Sequence, residues 1–191
     1  MEVGKTLYVR NRKQWRSWLS KHHKTAVDIW LIYYKKESGR PRIPYNDAVE
    51  ESLCYGWIDS TSKPRDEKSW VQRFSPRRKK SPLSEMNKER VRRLIRAGKM
   101  TPFGLESIRH HMDGNSGKTN KLKKFTLPSD ILKKLKSDAE VWKNFVKFSA
   151  SYKRIRIGWI DGVRRRPKVF DQRLRYFIKM TAQNKKFGMV Q

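Results

Sequence analysis

The chain has 191 residues and a mass of 22.9 kDa, enough for one domain of ordinary size or one domain with a small appendage. Lysine and arginine number 47 against 18 aspartates and glutamates, a net charge of +29 with a pI near 10.6, which puts acidic partners first among ligand classes. Seven Trp, seven Tyr and eight Phe exclude a disordered basic tail, and the single cysteine, Cys54, excludes both a disulfide framework and a zinc cluster built on cysteine pairs.

In chain order, Asn11 caps a helix whose Gln14 stands where a capping-box partner belongs, with Trp15, Trp18, Leu19 and His22 on one face. Ala26 to Tyr34, rich in β-branched and aromatic residues, reads as a buried strand ended by the turn Glu37-Ser38-Gly39-Arg40-Pro41. Pro44 to Tyr55 is a second helix, stopped by Gly56. Trp57 to Thr61 and Ser69 to Ser75 read as two strands of a hairpin, joined by the polar turn Ser62 to Lys68. In the second strand Trp70, Gln72 and Phe74 face one way, and Val71, Arg73 and Ser75 the other. Ser84 caps a helix with Val91, Leu94 and Ile95 inward, and Thr101-Pro102 opens another that runs to about Met112.

Residues 113–126 lack periodicity and are rich in Gly, Asn, Ser and Lys, as a linker is. Beyond them the pattern is helical throughout. Pro128 opens a short helix, Ser137 with Glu140 forms a capping box for the next, Ser149 caps a third, and Phe170, Leu174, Phe177 and Ile178 mark the last. The expected architecture is therefore α+β. An N-terminal unit, 1–112, has a small, mostly antiparallel sheet of three or four strands with helices. The linker 113–126 follows, and then an all-helical C-terminal unit, 127–191.

The longest apolar run, Ile29 to Tyr34, is far below the roughly 18 residues of a membrane span. The first residues carry no apolar signal-peptide core, so a cytoplasmic protein without a transmembrane segment is expected. Charge is uneven: residues 1–60 carry a net +4, 61–130 carry +12 and 131–191 carry +13, which makes the first part ordinary scaffold. The excess lies in Arg77, Arg78, Lys79 and Lys80, in Arg92, Arg96 and Lys99, in Lys121, Lys123 and Lys124, and in Arg164, Arg165, Arg166 and Lys168. These are the residues expected to meet backbone phosphates of nucleic acid or another polyanion, and an anionic membrane surface or an acidic protein can use the same charge.

No GxSxG, P-loop, GxGxxG or HExxH pattern occurs, so binding is expected in preference to catalysis, with no cofactor. Neighbours in the pairs His22-His23 and His110-His111 point about 100° apart on a helix, which suits no metal clamp. The alternative site is small-molecule binding or catalysis around Trp57, Asp59, Arg73 and Arg77. There Asp59 would orient one arginine while the other guanidinium meets a ligand carboxylate or phosphate. The sequence sets no oligomeric state.

Five blocks resemble, in order, the YdeI/OmpD-associated (OmdA, bacteriocin-protection) family. They are Trp15-Arg16-Ser17-Trp18-Leu19, Ile29-Trp30-Leu31, Leu53 to Ser60, Arg73-Phe74-Ser75-Pro76-Arg77-Arg78, and Ser84 with Asn87. Ala139 to Lys186 resembles the helical C-terminal part of the same family, so the likeness spans nearly the whole chain. At Leu83 the chain departs from the tryptophan usual there. The resemblance implies a stress- or defence-associated protein, linked by the family name to protection against cationic peptides and to an outer-membrane porin, and implies no defined reaction. A charge of +29 repels a cationic peptide, which sets sequestration of such peptides aside.

Overall fold

The computed structural model describes residues 2–79, 81–112 and 121–188, and it divides into two compact units. The first comprises Met1–Pro82 and Arg90–Lys121, the second Leu83–Glu89 and Leu122–Gln191. Most of the expected linker, residues 113–120, lies outside the described residues.

In the first unit the Asn11 side chain accepts the Gln14 amide at 3.0 Å and starts α1 (Arg12–His22). Four strands form one mixed sheet: β1 (Thr6–Leu7), β2 (Ile29–Tyr34), β3 (Trp57–Asp66) and β4 (Ser69–Pro76) in the order β1-β2-β4-β3. β1 pairs parallel to β2, and the other pairs are antiparallel. The two-residue β1 has too little sequence to show a period and was not foreseen. β2 lies inside the sheet, and its first five residues are buried, which is why it reads as an unbroken apolar run.

β3 continues through residues expected in a turn, so that only Glu67 and Lys68 join the hairpin. It tolerates Pro64 because it is an edge strand whose register with β4 is interrupted on both sides of Ser62–Pro64. Ile29, Leu31 and Tyr33 share the face of Trp70, Gln72 and Phe74, and the Trp15 ring meets Phe74 there at 5.5 Å. Trp30, Ile32 and Val71 form a smaller cluster on the other face with Tyr8 and Tyr34.

α2 (Tyr45–Cys54) presents Asp47, Glu50 and Glu51 to Arg12 and Arg16, one turn apart on α1. Glu51 is only 2% exposed, and both arginines hold it, Arg16 at 2.7 Å. Burial pulls the Arg12 guanidinium down, but the Glu51 and Glu50 carboxylates outweigh it and leave the pKa raised. α3 (Glu85–Arg96) is followed by α4 (Pro102–Ser107), capped by Thr101, and then by a 3₁₀ turn at Arg109–His111 where a continuous helix was expected.

In the second unit α5 (Ser129–Lys136), α6 (Ala139–Lys147), α7 (Ala150–Asp161) and α8 (Pro167–Ala182) enclose Ile131, Leu135, Val141, Phe145, Ile160 and Phe177. α6 is capped by Asp138, whose carboxylate accepts the Val141 amide at 3.0 Å, and not by Ser137, which ends α5. Buried Asn144 donates to the carbonyls of Thr181 and Ala182, each at 3.2 Å, and so satisfies the end of α8. Phe125, inside the expected linker, packs on this core.

Two expected outcomes follow from the packing around Cys54. A Cβ at Gly104 would lie 2.1 Å from the Cys54 carbonyl oxygen and 2.6 Å from its carbon, both backbone atoms that cannot swing away. Gly104→Ala gains at most about 1 kcal/mol of helix propensity but loses about 1–3 kcal/mol to overpacking, so urea denaturation will show a lower midpoint at unchanged slope. The Cys54 thiol is pushed up to about 11 by burial first and by the Glu51 carboxylate next. Iodoacetamide at pH 8 will therefore leave the folded protein unmodified and alkylate it in urea. The unfolded thiol releases its proton at lower pH than the folded one, so this group's contribution to stability is full below about 9 and falls as pH rises toward about 11.

Candidate functional site

The alternation along β4 separates the four residues of the expected pocket. Asp59 stands opposite Phe74, whereas Arg73 stands opposite Trp30, so Asp59 and Arg73 lie on opposite faces of the sheet. Asp59 accepts a hydrogen bond from the Tyr45 hydroxyl. Burial, and then that bond, holds the Tyr45 phenol above its usual range. Arg73 instead gives Nε and Nη2 to Oδ2 of Asp28, at 2.9 and 2.7 Å. The Asp59–arginine pair is thus replaced by two separate attachments, each stabilising its own face.

Trp57 is fully buried; its Nε1 donates to the His23 carbonyl at 3.1 Å and its ring meets Trp18 edge-on at 5.6 Å. Its place is in the core. Arg77, in the loop after β4, directs Nη2 to the carbonyls of Ser81 at 3.1 Å and Pro82 at 3.0 Å. Its Nε is sealed from the surface without a partner, and burial lowers its pKa. A cavity of about 560 Å³ adjoins it, lined also by Gly56, Pro76, Phe103, Ser107 and His110. Of the four expected residues, Arg77 alone is part of that lining.

Nε2 of His110 and of His111 both approach the Ser81 carbonyl, at 3.2 and 3.0 Å, and the Nδ1 of His23 lies 2.8 Å from the Leu19 carbonyl. These are structural contacts. Among the described residues no group of three or more His, Cys, Asp or Glu is placed to hold a metal ion, and no helix is long and apolar enough to cross a membrane.

The basic residues divide by partner. Arg164 is held by Asp130 and Asp161, Arg77 by backbone carbonyls, and Arg92 is engaged within the fold. Arg78, Lys79, Arg96 and Lys99 in the first unit are exposed, and their side chains have no hydrogen bond or ion pair among the described residues. The same holds for Lys121, the last residue of the first unit, and for Lys123, Lys124, Arg165, Arg166 and Lys168 in the second unit. Lys80 lies outside the described residues.

Sequence reasoning passed over a groove of about 860 Å³ along α1, in the part of the chain that looked like scaffold. Arg10, Lys13 and Lys21 line it with Tyr8 and Trp18, and no carboxylate does. The signal was present in the spacing, because Lys13 and Lys21 are eight residues apart and share a helix face. The modest net charge of residues 1–60 hid it, since most acids there are spent on Arg12, Arg16 and Arg73.

Residues 7–107 match the family model described as Domain of unknown function (DUF8412), and residues 124–184 match the model described as Bacteriocin-protection, YdeI or OmpD-Associated. The second match is narrower than the resemblance read from the sequence, whose five N-terminal blocks fall in the first. No curated protein and no solved structure matches the chain. The chain belongs to the DUF8412 family over more than half its length and carries a YdeI/OmpD-associated (OmdA) domain in its C-terminal part.

Proposed function

We propose that the protein is a non-enzymatic, stress- or defence-associated binder of a polyanion, nucleic acid in the first place, acting in the cytoplasm. The observation that carries this reading is the sorting of charge. Several carboxylates are drawn into pairs with arginines that anchor helices and strands, while Arg78, Lys79, Arg96, Lys99, Arg165, Arg166 and Lys168 stand exposed with no hydrogen bond or ion pair among the described residues. A concave surface lined by Arg10, Lys13 and Lys21 without an opposing carboxylate attracts phosphates from both sides, as a flat surface does not. The contacts favour the backbone over the bases: Trp18 is packed between Trp15 and His22, at 5.2 and 4.9 Å between ring centres, and Trp57 is fully buried. Binding of this kind is sequence-independent and driven by counterion release.

A second reading, a small anionic ligand in the cavity beside Arg77, is favoured by the sealed, unpartnered Nε of that residue. It calls for a ligand with an apolar body, because Pro76 and Phe103 form part of the wall.

Titrating tryptophan fluorescence with short duplex DNA and with single-stranded RNA at several salt concentrations tests the leading reading. The expected result is a linear fall of log affinity with log salt. Lys13→Gln with Lys21→Gln should flatten the slope for duplex DNA by about 1.8, given roughly 0.9 for each phosphate that is no longer neutralised. No binding at the lowest salt would reject the reading and leave the charge as a determinant of solubility. Preference for anionic vesicles over both nucleic acids would reassign the partner to a membrane surface.

A further inference from the structure

Arg156, in α7 of the C-terminal unit, is only 6% exposed, and its Nε is sealed from the surface with no partner. No hydrogen bond or ion pair reaches its guanidinium from any described residue. Less buried arginines are better provided for. Arg154, on the same helix, pairs with Glu89, and Arg73, in the first unit, pairs with Asp28. A buried guanidinium cannot escape by losing its proton, so a fold that leaves it unpaired keeps a positive charge in a poorly solvated place. The Tyr152 ring lies 5.5 Å from it and the Phe187 ring 4.7 Å. Rings stabilise the faces of a guanidinium and leave its N–H groups, which point outward in its plane, unfilled.

A second cation comes to the same ring. Lys186 Nζ is 6.0 Å from the centre of Tyr152, exposed and without a carboxylate partner. The Tyr152 hydroxyl accepts the Phe187 amide at 3.3 Å, and its own proton remains available to donate. The segment that brings Lys186 and Phe187 to α7 passes so close that a Cβ at Gly188 would lie 2.6 and 2.7 Å from Nη2 and Nη1. Glycine there, with φ near +74°, is what allows this segment to lie against the arginine.

Arg156 and Lys186 lie 5.5 and 6.0 Å from the centre of the Tyr152 ring, which carries the hydroxyl donor, with no carboxylate paired to either cation, and that set suits a dianion with several free oxygens better than a single carboxylate. We propose that Arg156, Lys186 and the Tyr152 hydroxyl form a receptor for a phosphate group, either inorganic phosphate or the terminal phosphate of a nucleotide. Arg156 supplies its N–H edge, Lys186 the second charge, and Phe187 covers the arginine. This site is separate from the exposed lysines and arginines of the polyanion reading and does not depend on them. Burial lowers the Arg156 pKa and outweighs the opposing effect of the Tyr152 phenol, with no carboxylate acting on it, as is expected of a cation that awaits its counter-ion from outside.

Calorimetric titration of the full chain with inorganic phosphate, adenosine monophosphate and adenosine, at constant ionic strength in chloride, tests this. Saturable one-to-one binding of the two phosphate compounds and none of adenosine is expected. Arg156→Gln should weaken it about tenfold or more, and Lys186→Gln, at an exposed position that folding tolerates, about threefold or more. Tighter binding of the nucleotide would identify the source as a nucleotide phosphate, and equal binding as free phosphate; both support the site. Unsaturated titrations, or affinities unchanged in both variants, would overturn it. Oligonucleotide binding that persists in Arg156→Gln with its salt dependence intact would leave the polyanion reading standing on its own.

Discussion

The buried carboxylate of Glu51 is the constraint around which the N-terminal unit is arranged. A carboxylate that is 2% exposed is tolerable only when its charge is met, and Arg12 and Arg16 meet it from consecutive turns of α1. That requirement fixes the rotation of α1 against α2, which in turn sets Trp15 against Phe74 and its Nε1 on the Ala48 carbonyl at 3.0 Å. The same geometry turns Lys13 and Lys21 away from α2 and into the groove beside β1. In a chain with so few acids, every carboxylate used inside the fold is one fewer on the surface. The cationic exterior is thus partly a consequence of how the interior is held.

Where function was sought in the sequence, the period of each element was legible and the pairing between elements was not. Asn11, Thr101 and Ser149 announce helix starts because capping is local, a side chain reaching an amide three residues on. The Ser137 cap failed by one residue for the same local reason, since Asp138 is an equal competitor next door. The alternation in β4 correctly put Arg73 on the face opposite Phe74, but which β3 residue stands across from Phe74 depends on register. The irregularity after Asp59 and the survival of Pro64 in an edge strand are decided by the rest of the sheet. Gly-Trp-Ile-Asp makes the limit concrete: at Gly56–Asp59 it enters strand β3, and at Gly158–Asp161 it ends helix α7. Four identical residues take opposite conformations because their neighbours differ.

Charge was legible as a total and in its runs, but not in its availability. Arg164, the first of three consecutive arginines, is held by two aspartates, while Arg165 and Arg166 have no ion pair among the described residues; the sequence presents the three alike. Arg156 was overlooked because it lies between Ile155 and Ile157 in a helix buried on more than one side, where hydrophobic spacing draws attention to its neighbours.

Comparing the arginines by what meets them separates structure from recognition. Arg12 and Arg16 meet carboxylates, and removing either partner would strand a charge, so their role is internal. Arg77 meets two carbonyls, which satisfy hydrogen bonds but neutralise no charge. Arg156 meets only aromatic rings, which neutralise nothing and leave its N–H groups open. Along this series burial does not fall as compensation does. A cost that the fold itself does not offset must be offset by something that binds, or it lowers stability without return. An anion at Arg156 therefore stabilises the folded chain in proportion to its affinity, and Arg156→Gln should remove the dependence of thermal stability on phosphate while raising stability in its absence.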